Sequence, residues 1–276
     1  MRPGGAREPM FNLPGSLVFV IAFLALVHLV RDIWLTAEAD AMLLQALSFV
    51  PGRFTFSFNP DGIADELTRL ANTGSRNAVL AAQFFLSDGH GAGWSMLTYS
   101  ILHADWTHLG MNVLWLAAFG APVALRFGTM RTLAFFLVAA AAGAGAHYLA
   151  RPLDLTPVVG ASASVSGMMA AALRFIFQPG APLGKALDEP LPPELSVRVP
   201  AAPLRVALRD RRVLQFSALW FAINLLIGLF AVPLGISDAG VAWEAHAGGF
   251  IAGFLLFGFF DPPPRVYWRP QPPRAA

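Results

Sequence analysis

Long apolar runs separated by polar segments dominate the chain. Each run holds about 20 residues, which is enough for a helix to cross a hydrocarbon core of about 30 Å. The predicted spans are Leu17–Leu35, Leu109–Arg126, Leu133–Leu149, Val158–Phe177, Val213–Val232 and Val241–Phe260. The pattern therefore predicts an all-α integral membrane protein whose six-helix membrane domain covers residues 16–260.

Polar or mixed segments connect and flank these spans. Residues 36–105 are predicted to form a long outer first loop, in which Arg53–Phe58 alternates like a short strand. Residues 178–212, rich in Pro and Arg, are predicted to be a flexible loop and are called the inner connection below. Residues 1–15 and the Pro-rich residues 261–276 are predicted to be short terminal segments.

Composition supports the membrane assignment. The 276 residues are 56% hydrophobic and 13% charged, whereas soluble domains hold about 25% charged residues. The absence of cysteine excludes disulfides, thiolate metal sites and a cysteine nucleophile. We expect a protein surrounded by lipid, with no nucleic-acid partner and no cofactor, while its oligomeric state stays open.

The distribution of basic residues predicts the orientation. Most of the 19 lysines and arginines flank the N-terminus, the inner connection and the tail, so the positive-inside rule puts both termini in the cytoplasm. The bias to Arg, Ala, Gly and Pro is typical of a GC-rich bacterial genome, which favours a bacterial inner membrane. Alternatively, span one is a secretory signal, since Ala37-Glu38-Ala39 resembles a cleavage site and Arg2 and Arg7 precede the apolar stretch. Its removal would leave five spans.

Polar side chains inside spans are costly and therefore indicate function. In the predicted topology, spans two, four and six run from outside to inside. His108, Ser162 and His246 then lie roughly 3–9 Å below the outer boundary, at 1.5 Å per helical residue. The pattern predicts that three spans bring reactive groups to one depth on one side of the membrane.

The spacing of neighbouring residues fits a converging site. Asn112 lies four residues after His108, so both project from one helix face. Gly249 and Gly253 follow His246 by three and seven residues, which allows another helix to approach closely. Ser166 lies one helical turn after Ser162 on the same face. Its small side chain likewise leaves room for another helix to approach. A serine becomes a nucleophile when a base takes its proton, and a histidine is suited to that role.

Three ordered motifs make the chain resemble the rhomboid family of intramembrane serine proteases. They are His103-x-x-x-x-His108-x-x-x-Asn112, Gly160-Ala161-Ser162-Ala163 and Ala245-His246-x-x-Gly249, on spans two, four and six. The resemblance covers roughly residues 94–260. Residues 36–93 have no counterpart in it that could be aligned.

The resemblance implies an activity and a site. Ser162 would be the nucleophile and His246 the general base, without a third acidic member. His108, Asn112 and the Ser162 N–H would form the oxyanion hole. The residues predicted to support the site are His103, Gly160, Gly249, Gly253 and Ser166. The resemblance further implies a water-filled cavity open to the outside, and as substrates the transmembrane segments of other proteins, cut near their outer ends.

Some positions differ from the family pattern. Ser95 follows Trp94 where the family often has Arg, and Ala163 follows the nucleophile where Gly is common. Ser166 stands where an aromatic residue often stacks on the catalytic histidine, so the support of His246 is expected to differ.

Other polar residues in or near the spans are predicted to be structural. His103 is expected to order the first loop. His147 and Glu244 are predicted to lie at the outer interface, and Asn224 is predicted to make a structural hydrogen bond.

Three other functions stay open. The chain could be a catalytically inactive rhomboid-like protein that binds membrane-protein clients. His103, His108 and His246 could instead serve a metalloprotease or metal transporter, although a His-Glu-x-x-His motif is missing. A channel or transporter is disfavoured because the sequence has no internal repeat.

Overall fold

The computed structural model describes residues 13–87, 92–184, 191–230 and 240–263, which fold into helices. The predicted terminal segments, apart from residues 13–15 and 261–263, and the end of predicted span five lie outside the described residues. The first half of the chain contains α1 (Gly15–Ile33), α2 (Ala37–Leu47), α3 (Pro51–Phe56), α4 (Pro60–Asn72), α5 (Arg76–Leu86), α6 (Ser95–Thr98), α7 (Trp106–Trp115) and α8 (Ala121–Phe127). The second half contains α9 (Thr129–Ala150), α10 (Ser162–Leu173), α11 (Pro193–Ser196), α12 (Leu204–Ala207), α13 (Arg211–Phe230) and α14 (Trp243–Phe260).

Five helices of the described residues are long and apolar enough to cross a membrane. They are α1, the continuous α7–α8 segment Trp106–Phe127, α9, α13 and α14. A π-helical turn at Leu116–Gly120 joins α7 to α8. These five match predicted spans one, two, three, five and six within a few residues.

The predicted fourth span is shorter than expected. The fourth span was predicted to cover Val158–Phe177, but α10 covers only Ser162–Leu173, or 12 residues. At 1.5 Å per residue α10 is about 18 Å long, so it cannot cross a bilayer core of about 30 Å by itself. Every α10 residue from Ala163 to Leu173 is buried. The apolar sequence therefore reflects enclosure by other helices and not contact with lipid.

The predicted long first loop is largely helical. The predicted strand at Arg53–Phe58 is wrong, because residues 51–56 form α3. Pro51 begins that helix, where its fixed φ angle suits the first helical position. An isolated antiparallel bridge, Phe49 with Val158, ties this region to the segment before α10.

Arg31 connects the end of α1 to the outer helices. Its guanidinium pairs with Asp40 on α2, with Nε 2.7 Å from Oδ1, and donates to the carbonyl of His103 at 2.6 Å. The Arg31 side chain is only 8% exposed, so these contacts are shielded from water. They fix the segment that leads into α7.

Part of the inner connection packs on the helix ends opposite Ser162, although it was predicted to be flexible. Arg126 donates to the carbonyl of Val197, and Arg174 donates to that of Ala202, both at 2.8 Å. Arg126 also pairs with both carboxylate oxygens of Asp261, at 2.6 and 2.9 Å. A buried guanidinium is tolerated when its N–H groups are paired, and carbonyls of the inner connection supply part of that pairing.

His147 and Glu244 are buried, contrary to the prediction that they lie at the outer interface. They are 3% and 8% exposed. Arg151 donates to Glu244. The His147 ring lies between two carboxylates, with Nε2 3.6 Å from Asp154 Oδ2 and Nδ1 3.4 Å from Glu244 Oε2. Charges are accommodated below a surface when they are paired, and this cluster ties α9 to the start of α14.

Candidate active site

Ser162 is the first residue of α10, and an irregular segment leads to it. Gly160 has φ +121°, a value that favours glycine. The Gly160 N–H donates to the carbonyl of Tyr99 at 3.0 Å, and the Ala161 N–H donates to His103 Nε2 at 3.4 Å. The first loop thereby fixes the direction from which the chain enters α10. Because α10 begins at Ser162, its first N–H groups have no acceptor within the helix.

His103 acts in this arrangement as a buried acceptor. It is completely buried, and burial followed by the proximity of His108 lowers the pKa of His103 to about 3. The ring is therefore neutral near pH 7, which leaves a lone pair for the Ala161 N–H. The predicted role of ordering the loop agrees with these contacts.

Helices α10 and α14 touch through their backbones. A Cβ atom added to Gly249 would collide with the carbonyl of Ala163, and one added to Gly253 would collide with that of Gly167. A Cβ atom on Gly167 would lie 2.6 Å from the Cβ of Ala139 on α9. The sequence predicted a close approach at Gly249 and Gly253, and α10 lies against both.

This approach brings Ser162 and His246 into hydrogen-bond contact. The Ser162 Oγ lies 2.8 Å from His246 Nε2. Both residues are half-buried. A hydroxyl and an imidazole nitrogen at this distance can exchange a proton directly, which is the geometry of a nucleophile with its base.

The other ring nitrogen of His246 contacts a residue that the sequence did not place in the site. His246 Nδ1 lies 2.6 Å from Asn224 Oδ1 on α13, and Asn224 Nδ2 donates to the carbonyl of Trp220 at 2.8 Å. The sequence predicted only a structural hydrogen bond for Asn224. The available signal was an amide within an apolar span, but its partner depends on how α13 packs on α14.

His108 lies on the other side of the nucleophile. A Cβ atom added to Gly160 would be 2.7 Å from His108 Nε2 and 3.7 Å from Ser162 Oγ, so these groups surround one small space. The His108 Nδ1 accepts from the Ala104 N–H at 3.4 Å. Because a neutral imidazole carries one proton, that proton is on Nε2 and points towards the space beside Ser162. Asp105 Oδ1 accepts from the His108 N–H at 2.8 Å and caps α7, a contact that the sequence analysis missed.

Asn112 is buried, one turn after His108 on the same helix. It is 5% exposed, and its Nδ2 donates to the His108 carbonyl at 2.9 Å. An amide nitrogen has two hydrogens, so this bond leaves one for another acceptor.

Ser166 makes a local contact. Its Oγ donates to the Ser162 carbonyl at 2.7 Å, within the same helix. A small side chain here leaves room beside α14 but provides no ring to stack on His246.

Among the described residues, no group of three or more His, Cys, Asp or Glu side chains is arranged to hold a metal ion. The histidines of the metal hypothesis contact other groups, including His246 with Ser162 and His103 with the Ala161 N–H.

Comparison with known proteins agrees with the motifs. The family model of the Rhomboid domain matches residues 90–261, which include α6 to α14. A search of curated proteins found no match. The apolar helices and this match identify a multi-pass membrane protein, and the chain belongs to the rhomboid family.

Proposed function

We propose that this protein is an intramembrane serine endopeptidase, with Ser162 as nucleophile and His246 as general base. The rhomboid family contains both proteases and inactive members, so family membership alone does not decide between them. The observation that carries the proposal is the 2.8 Å contact between Ser162 Oγ and His246 Nε2. An inactive client-binding protein has no need for this contact.

The proposed reaction has two acyl-transfer stages. His246 Nε2 takes the hydroxyl proton of Ser162 as Oγ attacks the peptide carbonyl, and a tetrahedral oxyanion forms. The protonated His246 then gives that proton to the leaving amine, the C–N bond breaks and an acyl-enzyme remains. Water, deprotonated by His246, attacks the ester, and collapse of the second tetrahedral intermediate returns the proton to Ser162.

The oxyanion would lie between α7 and the start of α10. The His108 Nε2–H points to this space, and the Ser162 N–H is free of the helix ladder because it lies in the first turn. The second Nδ2 hydrogen of Asn112 is proposed as the third hydrogen-bond donor to the oxyanion. Such preorganised donors stabilise charge that develops in the transition state, and each contributes about 10²–10³ in kcat.

The proposed topology has six membrane segments, and the fourth is α10 together with the residues that flank it between Val158 and Phe177. Both termini and the inner connection lie in the cytoplasm, and the site opens to the outer side of a bacterial inner membrane. Most basic residues lie on the cytoplasmic side in this arrangement, as the positive-inside rule requires. Helices α2–α6 then form an outer layer, and residues 16–260 form one membrane domain.

The proposed substrates are transmembrane segments of other proteins, cut near their outer ends. A peptide bond inside an intact helix is shielded, because its backbone is fully hydrogen-bonded within the lipid. Segments whose outer end unwinds readily, such as those with glycine there, are therefore expected to be cut faster.

The experiment is cleavage of a model transmembrane substrate in liposomes. Wild type should cut it, Ser162→Ala and His246→Ala should lose the activity, and Ser217→Ala, a serine on α13 outside the site, should keep it. Activity should survive exhaustive chelation. Equal cleavage by wild type and Ser162→Ala, or none by wild type across several substrates, would contradict the proposal and leave the client-binding function.

A further inference from the structure

The two nitrogens of the His246 ring have different partners. Nε2 faces Ser162 Oγ at 2.8 Å, and Nδ1 faces Asn224 Oδ1 at 2.6 Å. A neutral imidazole carries one proton, so the ring can donate through one nitrogen and accept through the other. Which nitrogen is protonated decides whether His246 can take the proton of Ser162.

The orientation of the Asn224 amide follows from its second contact. Its nitrogen lies 2.8 Å from the carbonyl oxygen of Trp220, one turn earlier on α13. A carbonyl only accepts, so the amide NH2 must face Trp220 and the amide oxygen must face His246. Turning the amide over would place two acceptors against each other at Trp220 and lose this bond.

The amide oxygen in turn determines the tautomer of the ring. Asn224 Oδ1 accepts and cannot donate, so the hydrogen bond at 2.6 Å requires a proton on His246 Nδ1. Nε2 then has a free lone pair directed at the Ser162 hydroxyl. In the opposite tautomer Nε2 would carry the proton and could not act as the base. We infer that Asn224 is the positioning residue that holds His246 in its base-competent tautomer, an inference that rests on the proposed function.

The bond from the Asn224 amide to the Trp220 carbonyl explains how an amide can serve beside the base histidine, where a serine protease triad has a carboxylate. In a Ser-His-Asp triad, Asn in place of Asp lowers kcat about 10⁴-fold because the wrong tautomer is favoured. Here the Trp220 carbonyl holds the amide nitrogen away from the ring. A neutral amide also avoids placing a charge within the membrane.

The nearest carboxylate on the same helix is occupied elsewhere. Glu244, two residues before His246, pairs with Arg151 and lies 3.4 Å from His147. Within the described residues, the hydrogen-bond partners of the His246 ring are Ser162 and Asn224. The orientation of the base therefore depends on α13.

The experiment compares Asn224→Leu, Asn224→Asp and Ile223→Ala in liposomes. Leu is similar in size and cannot accept a hydrogen bond, so neither tautomer of His246 is held. We expect kcat to fall about 10- to 100-fold with KM within about twofold, less than the roughly 10²–10⁴-fold contribution of a positioned base, because a fraction of the rings still carries the proton on Nδ1. Asp also accepts from Nδ1–H, but its second oxygen cannot donate to the Trp220 carbonyl, so Asn224→Asp should retain more of the wild-type kcat than Asn224→Leu. Its negative charge favours the protonated ring, so the acidic limb of its pH–rate profile should move to higher pH. Ile223→Ala, at an exposed neighbour on the same helix, should match wild type.

A second readout does not depend on catalysis. ¹⁵N NMR of the labelled His246 ring near neutral pH should show a protonated Nδ1 and an unprotonated Nε2 in wild type and in the inactive Ser162→Ala variant. In Asn224→Leu the Nε2-protonated tautomer should be populated, and folding of each variant is checked by thermal unfolding. Protonated Nε2 in wild type, or an unchanged tautomer and rate in Asn224→Leu, would overturn the inference. If wild type cleaves the substrate but one of those results is found, the role of Asn224 is wrong and the protease proposal still holds.

Discussion

Helix α14 contacts α10 and α13 in two different ways. Against α10 it packs backbone on backbone, because Gly249 and Gly253 allow the carbonyls of Ala163 and Gly167 to approach. Against α13 it packs through side chains, with the rings of Trp220 and Phe250 stacked at 4.5 Å. The first contact admits little adjustment, whereas the second can adjust through rotamer changes.

The two helices that pack on α14 also differ in burial: α10 is enclosed by protein, and α13 is largely exposed. The residues of α10 after Ser162 are all buried, whereas Val213 is the one buried residue among the described α13 side chains. Many large α13 side chains, such as Leu219 and Leu226, are exposed to the surroundings. In a membrane these face lipid, where apolar side chains are stable.

The two contacts of α14 control two different properties of His246, its distance from Ser162 and its tautomer. The distance from His246 to Ser162 is set by the glycine contact of α14 with α10. The tautomer of His246 is set by Asn224 on α13, a helix held by side chains. Substitutions at the first contact should therefore affect both folding and activity, and those at the second should affect activity more than folding.

Gly249→Ala should have the largest effect. Its new Cβ atom would meet the Ala163 carbonyl, which belongs to a buried helix and cannot rotate away. Overpacking of this kind costs about 1–3 kcal/mol, and the displaced His246 should lower the cleavage rate at least tenfold. Unfolding in mixed micelles and cleavage in liposomes measure the two effects. Gly258→Ala, on the same helix with open space around it, is the matched control and should be neutral or slightly stabilising.

Trp220→Leu should have an intermediate effect. It removes the ring stacked on Phe250 but keeps the backbone carbonyl that anchors Asn224. Because Trp220 is only half-buried, we expect a loss of about 1–2 kcal/mol, less than for a fully buried ring. Activity should fall less than in Asn224→Leu. A larger loss of activity than in Asn224→Leu would show that the α13 contact also sets the Ser162–His246 distance.

Gly228→Ala should have the smallest effect, although the added atom also meets a close neighbour. That neighbour is Trp243, whose Cδ1, Cγ and Cβ atoms lie 2.5, 2.8 and 3.0 Å from the built Cβ position. Because α13 packs on α14 through side chains, a small shift of α13 can relieve this contact. We expect a change in stability of less than about 1 kcal/mol and nearly wild-type cleavage. A cost equal to that of Gly249→Ala would contradict the distinction between the two contacts.

The residues that the sequence predicted correctly are those with strong local signals. Gly249 and Gly253 were predicted to permit a close approach, because small residues at helical spacing have few other uses inside a membrane. The pairing of Ser162 with His246 was expected from their depth on two spans and from the family motifs. The structure places the two side chains in contact.

Other features depend on contacts that periodicity does not encode. The length of α10 could not be predicted, since a helix enclosed by protein and a helix exposed to lipid have the same apolar composition. The predicted strand at Arg53–Phe58 failed because alternation over six residues is weak evidence, and Pro51 starts a helix there. The burial of Glu244 depends on Arg151, 93 positions away. The partner of Asn224 likewise depends on the packing of α13.

The most direct test of the central claim is labelling with a fluorophosphonate, which reacts with serines activated by a base. After reaction in liposomes, the modified residue is identified by mass spectrometry of the digested protein. If His246 activates Ser162, an adduct forms on Ser162 in wild type, almost none forms in His246→Ala, and a wild-type level forms in Ile223→Ala. Absence of an adduct on Ser162, or equal labelling of Ser162 in His246→Ala, would contradict the account.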